Sequence, residues 1–318
     1  MSATRRGDSS VKQIVGLFLF ILSSIVNTAY AACSVSALPN FEFGLEVESF
    51  MAQSQMLTTN SYADIDCNRS LELGLLPRAN LRVQAAQSVN GFVMRNILGD
   101  EVAYQISPDP NFSVALVTVG DEVMVTDANL LSIVSGGNLR LPLWARTNTA
   151  NLSEGLYTDS ILLHFRGRFC DLSVTTICLN PEYLDIQVSV QLQLGIEKAC
   201  VIDVPDTLDL GQAADVQDVS VTDLPISVKC TTRQNFQISA GLGLHAAQNR
   251  RLANGEGSFI DYEIWQPNNA ERLSSETPLA GNGTGFFQTF NAQVEVIDNG
   301  TIPEVGAYSD QVVVTVSF

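Results

Sequence analysis

The feature that most constrains this chain is an internal repeat anchored on cysteine. Cys33 is followed 10 and 11 residues later by Phe43-Gly44, and Cys200 at the same distances by Leu210-Gly211. Next come Ile65-Asp66-Cys67 in one half and Val228-Lys229-Cys230 in the other. Val102–Ile106 then corresponds to Ile260–Ile264, and Gly155-Leu156-Tyr157-Thr158-Asp159 to Gly306-Ala307-Tyr308-Ser309-Asp310. Matches kept in one order over so long a stretch mean two copies of one unit. The chain can therefore fold only into a unit that works twice.

That unit reads as a β-sandwich. Short apolar runs are separated by turn chemistry at Asn90-Gly91, Gly99-Asp100, Gly136-Gly137-Asn138, Asn254-Gly255, Gly281-Asn282-Gly283 and Asn299-Gly300. No stretch sustains a capped 3.6-residue period, so the regularly spaced turns fit an all-β sandwich better than a βαβ fold. At 46% hydrophobic and 16% charged residues the chain has material for full cores, which disordered chains lack.

The first residues read as an address. Arg5, Arg6 and Lys12 precede the apolar stretch Ile14–Val26 and an Ala29-Tyr30-Ala31 ending. That order is a secretory signal, expected at 1–31, and thirteen residues are too few for a bilayer, which takes about 20. Export then gives the expected boundaries, one unit at 32–196 and a second at 197–318.

All six cysteines, Cys33, Cys67, Cys170, Cys178, Cys200 and Cys230, lie in the exported part. An even number in an oxidising compartment reads as disulfides. Equivalent positions in the repeat favour Cys33–Cys67 and Cys200–Cys230, leaving Cys170–Cys178 as a local clip in the first copy. A zinc site is disfavoured because no C-x-x-C pair occurs, and no cofactor is expected.

These landmarks resemble the spore coat protein U domain family: Cys-x9-[Phe/Leu]-Gly, a second Cys ending a strand, an Arg before the apolar-x-Tyr strand (Arg95, Arg251), and a terminal Gly-x-Tyr-[Thr/Ser]-Asp strand. Tandem copies behind a signal peptide are similar to the two-domain tip adhesins of archaic (Csu-type) chaperone–usher pili. The resemblance implies two immunoglobulin-like pilin domains, the second completed by a donor strand. It also implies three partners: a periplasmic pilus chaperone, an outer-membrane usher and the next pilus subunit. The expected place is the cell surface, at the pilus tip, reached through the periplasm.

One segment distinguishes the copies. In 184–196, Ile186, Val188, Val190, Leu192, Leu194 and Ile196 alternate with Gln187, Ser189, Gln191, Gln193 and Gly195, the pattern of a strand buried on one face. It follows the Gly-x-Tyr-Thr-Asp strand of the first copy. Nothing comparable follows the matching strand of the second, so Val312, Val314, Val316 and Phe318 are expected to line an open, strand-accepting edge. The first strand cysteine falls at the start of the exported part, which is expected to leave no donor segment. A subunit that accepts a strand without giving one belongs at a fibre end.

The first copy is longer than the second in three intervals, and its insertions carry Phe50, Met51, Phe92, Val93, Leu116 and Val117. Exposed on loops, these would suit adhesion to an abiotic or host surface; packed inward, they would only extend the core. With 17 Lys+Arg against 34 Asp+Glu, the acidic chain is not expected to bind nucleic acid. Catalytic fingerprints are missing from the sequence: no G-x-S-x-G, H-E-x-x-H or phosphate-binding glycine motif. The remaining function classes are a structural coat or pilus subunit and a secreted carbohydrate-binding module.

Overall fold

The computed structural model describes residues 33–67, 80–125, 134–135, 138–174, 177–267 and 271–318. The expected signal at 1–31 lies outside the described residues. The first half forms β1 (Ser34–Ala37), β2 (Phe41–Glu42), β3 (Val47–Glu48), α1 (Ser49–Ser54), β4 (Thr58–Asp66), β5 (Asn80–Ser88), β6 (Val93–Arg95), β7 (Glu101–Ser107), β8 (Glu122–Val125), β9 (Val134–Ser135), β10 (Asn138–Thr147), β11 (Gly155–Val174) and β12 (Ile177–Glu197). The second forms β13 (Cys200–Asp203), a 3-10 turn (Val216–Asp218), β14 (Thr222–Cys230), β15 (Asn235–Ala240), β16 (Arg250–Ala253), β17 (Phe259–Trp265), β18 (Leu279–Asn282), β19 (Phe287–Val296) and β20 (Val314–Ser317).

The repeat is visible strand by strand. In the first sandwich β1-β4-β10-β7 make one layer, β6 turns the corner, and β11 follows, flanked by β5 and β8 on one side and β12 on the other. In the second, β13-β14-β19-β17-β16 make one sheet and β18-β15-β20 the other. The corner recurs: Arg95 of β6 bridges Thr158 of β11, and Ala253 of β16 bridges Ser309. Each half has its own core, one from Cys33 to Ile196 and one from Leu224 to Val294.

Alternation explains these layers, because successive strand residues face opposite ways. Ile161, Leu163 and Phe165 of β11 point inward with no exposed surface, as do Leu141, Leu143 and Ala145 of β10. In β12, Val190, Leu192, Leu194 and Ile196 are buried, while Ile186 and Val188 are half-buried.

Three bonds recur in both copies and fix the layers to each other. Cys33–Cys67 and Cys200–Cys230 are disulfides between the first two antiparallel strands of each sandwich. Loops of 34 and 30 residues are closed by them, worth about 3–4 kcal/mol in chain entropy. The expected Cys170–Cys178 clip falls on side chains outside the described residues. Tyr104 donates to Asp159 Oδ2 at 2.7 Å, and Tyr262 to Asp310 Oδ2 at 2.7 Å. Tyr157 donates to the Ser153 carbonyl at 3.0 Å and Tyr308 to the Glu304 carbonyl at 2.7 Å. Each of the latter pair reaches four residues back and pins the corner entering its strand.

Arg95 and Arg251 each precede the apolar-x-Tyr strand of their copy, as expected, but they do not hold matching ladder positions. Arg251 pairs across the ladder with Asp261, whereas Arg95 pairs with Glu101, two residues short of the matching place. The residue opposite Tyr262 is Arg250, and the amide of Tyr104 bonds Phe92. Phe92 stacks on Tyr104 at 5.2 Å. Arg250 is instead buried with Glu263 as an ion pair and donates to the carbonyls of Ala240, Gly241 and Leu273 at 2.7–2.8 Å. One copy fills the position with an aromatic ring, the other with a satisfied cation.

Burial, and then the Asp159 and Asp310 carboxylates, push the Tyr104 and Tyr262 hydroxyls well above the ordinary tyrosine range. A raised value means that the folded chain holds these protons more tightly than the unfolded one. Their stabilisation is thus complete below about pH 10 and is lost as pH rises toward the folded values. Urea denaturation between pH 8 and pH 11 should show Tyr104→Phe and Tyr262→Phe each about 1 kcal/mol less stable at pH 8. The variants should also show a shallower alkaline loss than the parent. An unchanged alkaline slope would place the titration elsewhere.

Candidate functional site

β12 shows what a finished sandwich requires. It pairs antiparallel with β11 from Gly155↔Ile196 to Val174↔Ile177. Its other edge pairs in parallel with β2 (Leu192↔Phe41) and β3 (Ile196↔Val47). Between those two contacts the chain at Gly44–Glu46 crosses close to Gly195, whose amide donates to the Gly44 carbonyl at 2.8 Å. A Cβ on Gly195 would lie 2.1 Å from the Leu45 carbonyl oxygen, so only glycine allows this approach. Gly44 itself has a φ of 115°, a backbone state that side chains resist.

The second sandwich has both banks of this channel and, among the described residues, no strand between them. β20 pairs with β15 on one edge (Ile238↔Val316, Ala240↔Val314). Among the described residues no strand pairs with its other edge. Val312, Val314 and Val316 occupy the places of Ile161, Leu163 and Phe165, yet are only half-buried, and Phe318 is exposed. Leu208 and Leu210 match Phe41 and Phe43 and are likewise half-buried, whereas both phenylalanines are buried. Gly211 repeats the positive φ of Gly44, at 88°. A sheet edge with apolar side chains on both banks of a channel has the geometry to pair with an added strand. Val312, Val314, Val316 and Phe318 are the residues named from the sequence for this edge. Leu208 and Leu210 were missed as the second bank, although Leu210 sits in the same cysteine spacing as Phe43.

The six insertion residues are not brought together. Phe92 and Leu116 are buried, Phe92 against Tyr104 and Leu116 by a bridge to Ile106, so they extend the core and are no contact surface. Phe50 and Met51 stand on α1, not on a loop. Phe50 is half-buried beneath the Lys229 ammonium, 4.3 Å from the ring centroid, and so faces the second sandwich. Val93 is half-buried in β6. Met51 and Val117 are exposed.

The titratable groups offer little chemistry. His164 contacts Asp185 at 2.5 Å across the β11–β12 ladder, and among the described residues no hydroxyl nucleophile is bonded to the ring. Cys33, Cys67 and Glu182 lie close enough to hold an ion, but the two sulfurs are spent in a disulfide. Among the described residues no helix is long and apolar enough to cross a membrane.

A family profile, the Spore Coat Protein U domain, matches residues 20–164 and again 186–315. No curated protein matches the chain by sequence. Among solved structures, the CsuC–CsuE chaperone–tip adhesion subunit pre-assembly complex from the archaic Csu pili of Acinetobacter baumannii superposes with a TM-score of 0.55 at 19% identity, covering 90% of this chain and 100% of that one. The CupB6 tip adhesin from Pseudomonas aeruginosa covers 90% of this chain and 94% of its own at 12% identity, with a TM-score of 0.38.

Burial divides the insertion residues into two testable classes. Phe92→Ser and Leu116→Ser should cost the first sandwich about 2–5 kcal/mol, as truncated core side chains do. Met51→Ser and Val117→Ser should stay within about 0.5 kcal/mol of the parent. Thermal unfolding of the four purified variants checks the division, and equal costs would contradict it.

Proposed function

From the membership of this chain in the Spore Coat Protein U domain family, we propose that it is an exported pilus subunit, the tip adhesin of an archaic chaperone–usher fibre. The carrying observation is the asymmetry of its two sandwiches: β12 closes the first, and the second presents the same channel unfilled. In this reading a periplasmic chaperone strand covers the channel first, and a strand of the adjoining subunit then replaces it at an outer-membrane usher. The likeness of fold to a chaperone–tip adhesion subunit complex supports this choice. The first sandwich, complete in itself, is free to face outward and make the adhesive contact with an abiotic or host surface. Of the six insertion residues, Met51 and Val117 have the exposure that such a contact needs. No step here requires a reaction, so the chain is read as a binding protein and not an enzyme.

An added strand tests this without the native partner. A synthetic peptide with the sequence of residues 184–196 carries the alternation that closes the first sandwich. Mixed with the full chain, it should raise only the second sandwich's unfolding transition. A ligand at 100 times its Kd stabilises by about 2.7 kcal/mol. A peptide of the same composition with its alternation scrambled should do nothing. If neither transition moves, or if the second sandwich unfolds as late as the first with no peptide present, the strand-acceptor reading fails.

A further inference from the structure

The junction inside this chain carries information about the junction beyond it. Only Lys198 and Ala199 separate β12 from β13, so the strand that closes the first sandwich leads directly into the second. The second sandwich therefore sits against the end of the first at which β12 leaves. The contacts are specific. Ser49 and Thr231 hydroxyls lie 2.7 Å apart, and Gln53 donates to the Gly285 carbonyl at 3.1 Å. Asn151 donates to the Thr284 carbonyl at 2.8 Å and accepts from Thr232 at 2.7 Å. Arg233 pairs with Asp100 at 2.8 Å.

On the first sandwich these contacts come from three places: α1, the turn before β7, and the loop before Tyr157. All three have counterparts in the second sandwich. The 3-10 turn Val216–Asp218 begins five residues after Gly211, as α1 begins five after Gly44. Ser258 precedes β17 as Asp100 precedes β7, and the stretch before Tyr308 matches the one before Tyr157. In the first copy that end is covered. In the second, Ile302 and Val305 stand on it with 98% and 106% of their surface exposed. Two aliphatic side chains held fully in water on one loop carry a solubility cost that a docked partner removes.

We propose that Ile302, Val305 and the turn Val216–Asp218 form a docking face for the β-sandwich of the subunit whose strand fills the channel. The inference rests on the strand-acceptor reading above. A strand lying antiparallel to β20, as β12 lies to β11, leaves the channel at the Gly306 end, because Ile196 leaves opposite Gly155. The sandwich that follows it is thereby delivered onto this loop. The charge pattern also matches. Asp215 and Asp218 bound the turn, whose Gln217 donates to Asp298, and Glu304 lies between Ile302 and Val305 with its amide on Ser258, while the corresponding base of this chain's own second sandwich presents Lys229 and Arg233 to Phe50 and Asp100. The partner's base is accordingly cationic, with the cations flanking the second cysteine of its first disulfide.

Photo-crosslinking in assembled fibres separates this face from the channel. The full chain, co-expressed with its chaperone, usher and adjoining subunits, would carry benzoylphenylalanine at position 302, 305, 316 or 289, one at a time. Position 316 reports the channel, and 289 lies on the outward face of β19 as a control. After irradiation of washed fibres, mass spectrometry should identify one and the same subunit crosslinked from 302, 305 and 316, and none from 289. A crosslink from 316 without any from 302 and 305 overturns the docking face and leaves the strand-acceptor reading standing. Crosslinks from 302 and 305 to a protein other than the channel's occupant also overturn it. Fibres in which 316 captures no subunit overturn the strand-acceptor reading and the docking face with it.

Discussion

The ladder between β11 and β12 is the interaction on which the rest depends. It runs the length of the first sandwich and gives the inward side chains of β11 a second bank of apolar neighbours. Where it exists, Ile161, Leu163 and Phe165 lose all contact with solvent. Where no such strand is found among the described residues, the equivalent Val312, Val314 and Val316 stay half-exposed, although their own sheet is otherwise formed. The two halves thus form an internal control: one frame, with and without its closing strand.

What holds the open half in shape is the set of bonds that do not involve that strand. The Cys200–Cys230 disulfide, the Tyr262–Asp310 hydrogen bond and the Tyr308 corner have exact parallels in the closed half. The Arg250–Glu263 pair is an addition peculiar to the open one. A buried ion pair adds little net stability over apolar packing, but removing one partner is costly. With three backbone carbonyls accepting from it, Arg250 ties β15, β16 and β17 to the Leu273 loop. Those strands are thereby tied together from the side away from the missing one.

Much of this was legible from residue spacing. Cysteine positions and the Gly-x-Tyr-x-Asp landmark located β1, β4, β11 and their counterparts, because disulfides and buried Tyr–Asp bonds tolerate few alternatives. The alternation of 184–196 identified β12, since a period of two specifies one buried face. Its first two apolar residues, Ile186 and Val188, are only half-buried, and no pattern along a single strand reports how deeply its neighbours cover it. Arg95 and Arg251 were matched as residue types, whereas a ladder matches residues by cross-strand partner. Phe92 and Leu116 were ambiguous for a similar reason. An insertion can carry apolar residues to solvent or return them to the core, and Phe92 returns through a left-handed turn at φ 64° that composition does not reveal.

The covalent continuity of β12 with the first sandwich has a consequence in mass action. A strand built into its own chain closes at a rate and to an extent independent of protein concentration, because its effective concentration is set by covalent attachment to the sheet it joins. If the second sandwich takes its strand from another molecule, as proposed above, its stability rises and falls with how much of that molecule is present. Dilution would therefore leave one half of the chain untouched while loosening the other. On that proposal, the maturity of the first half is a property of the molecule, and that of the second is a property of the population around it.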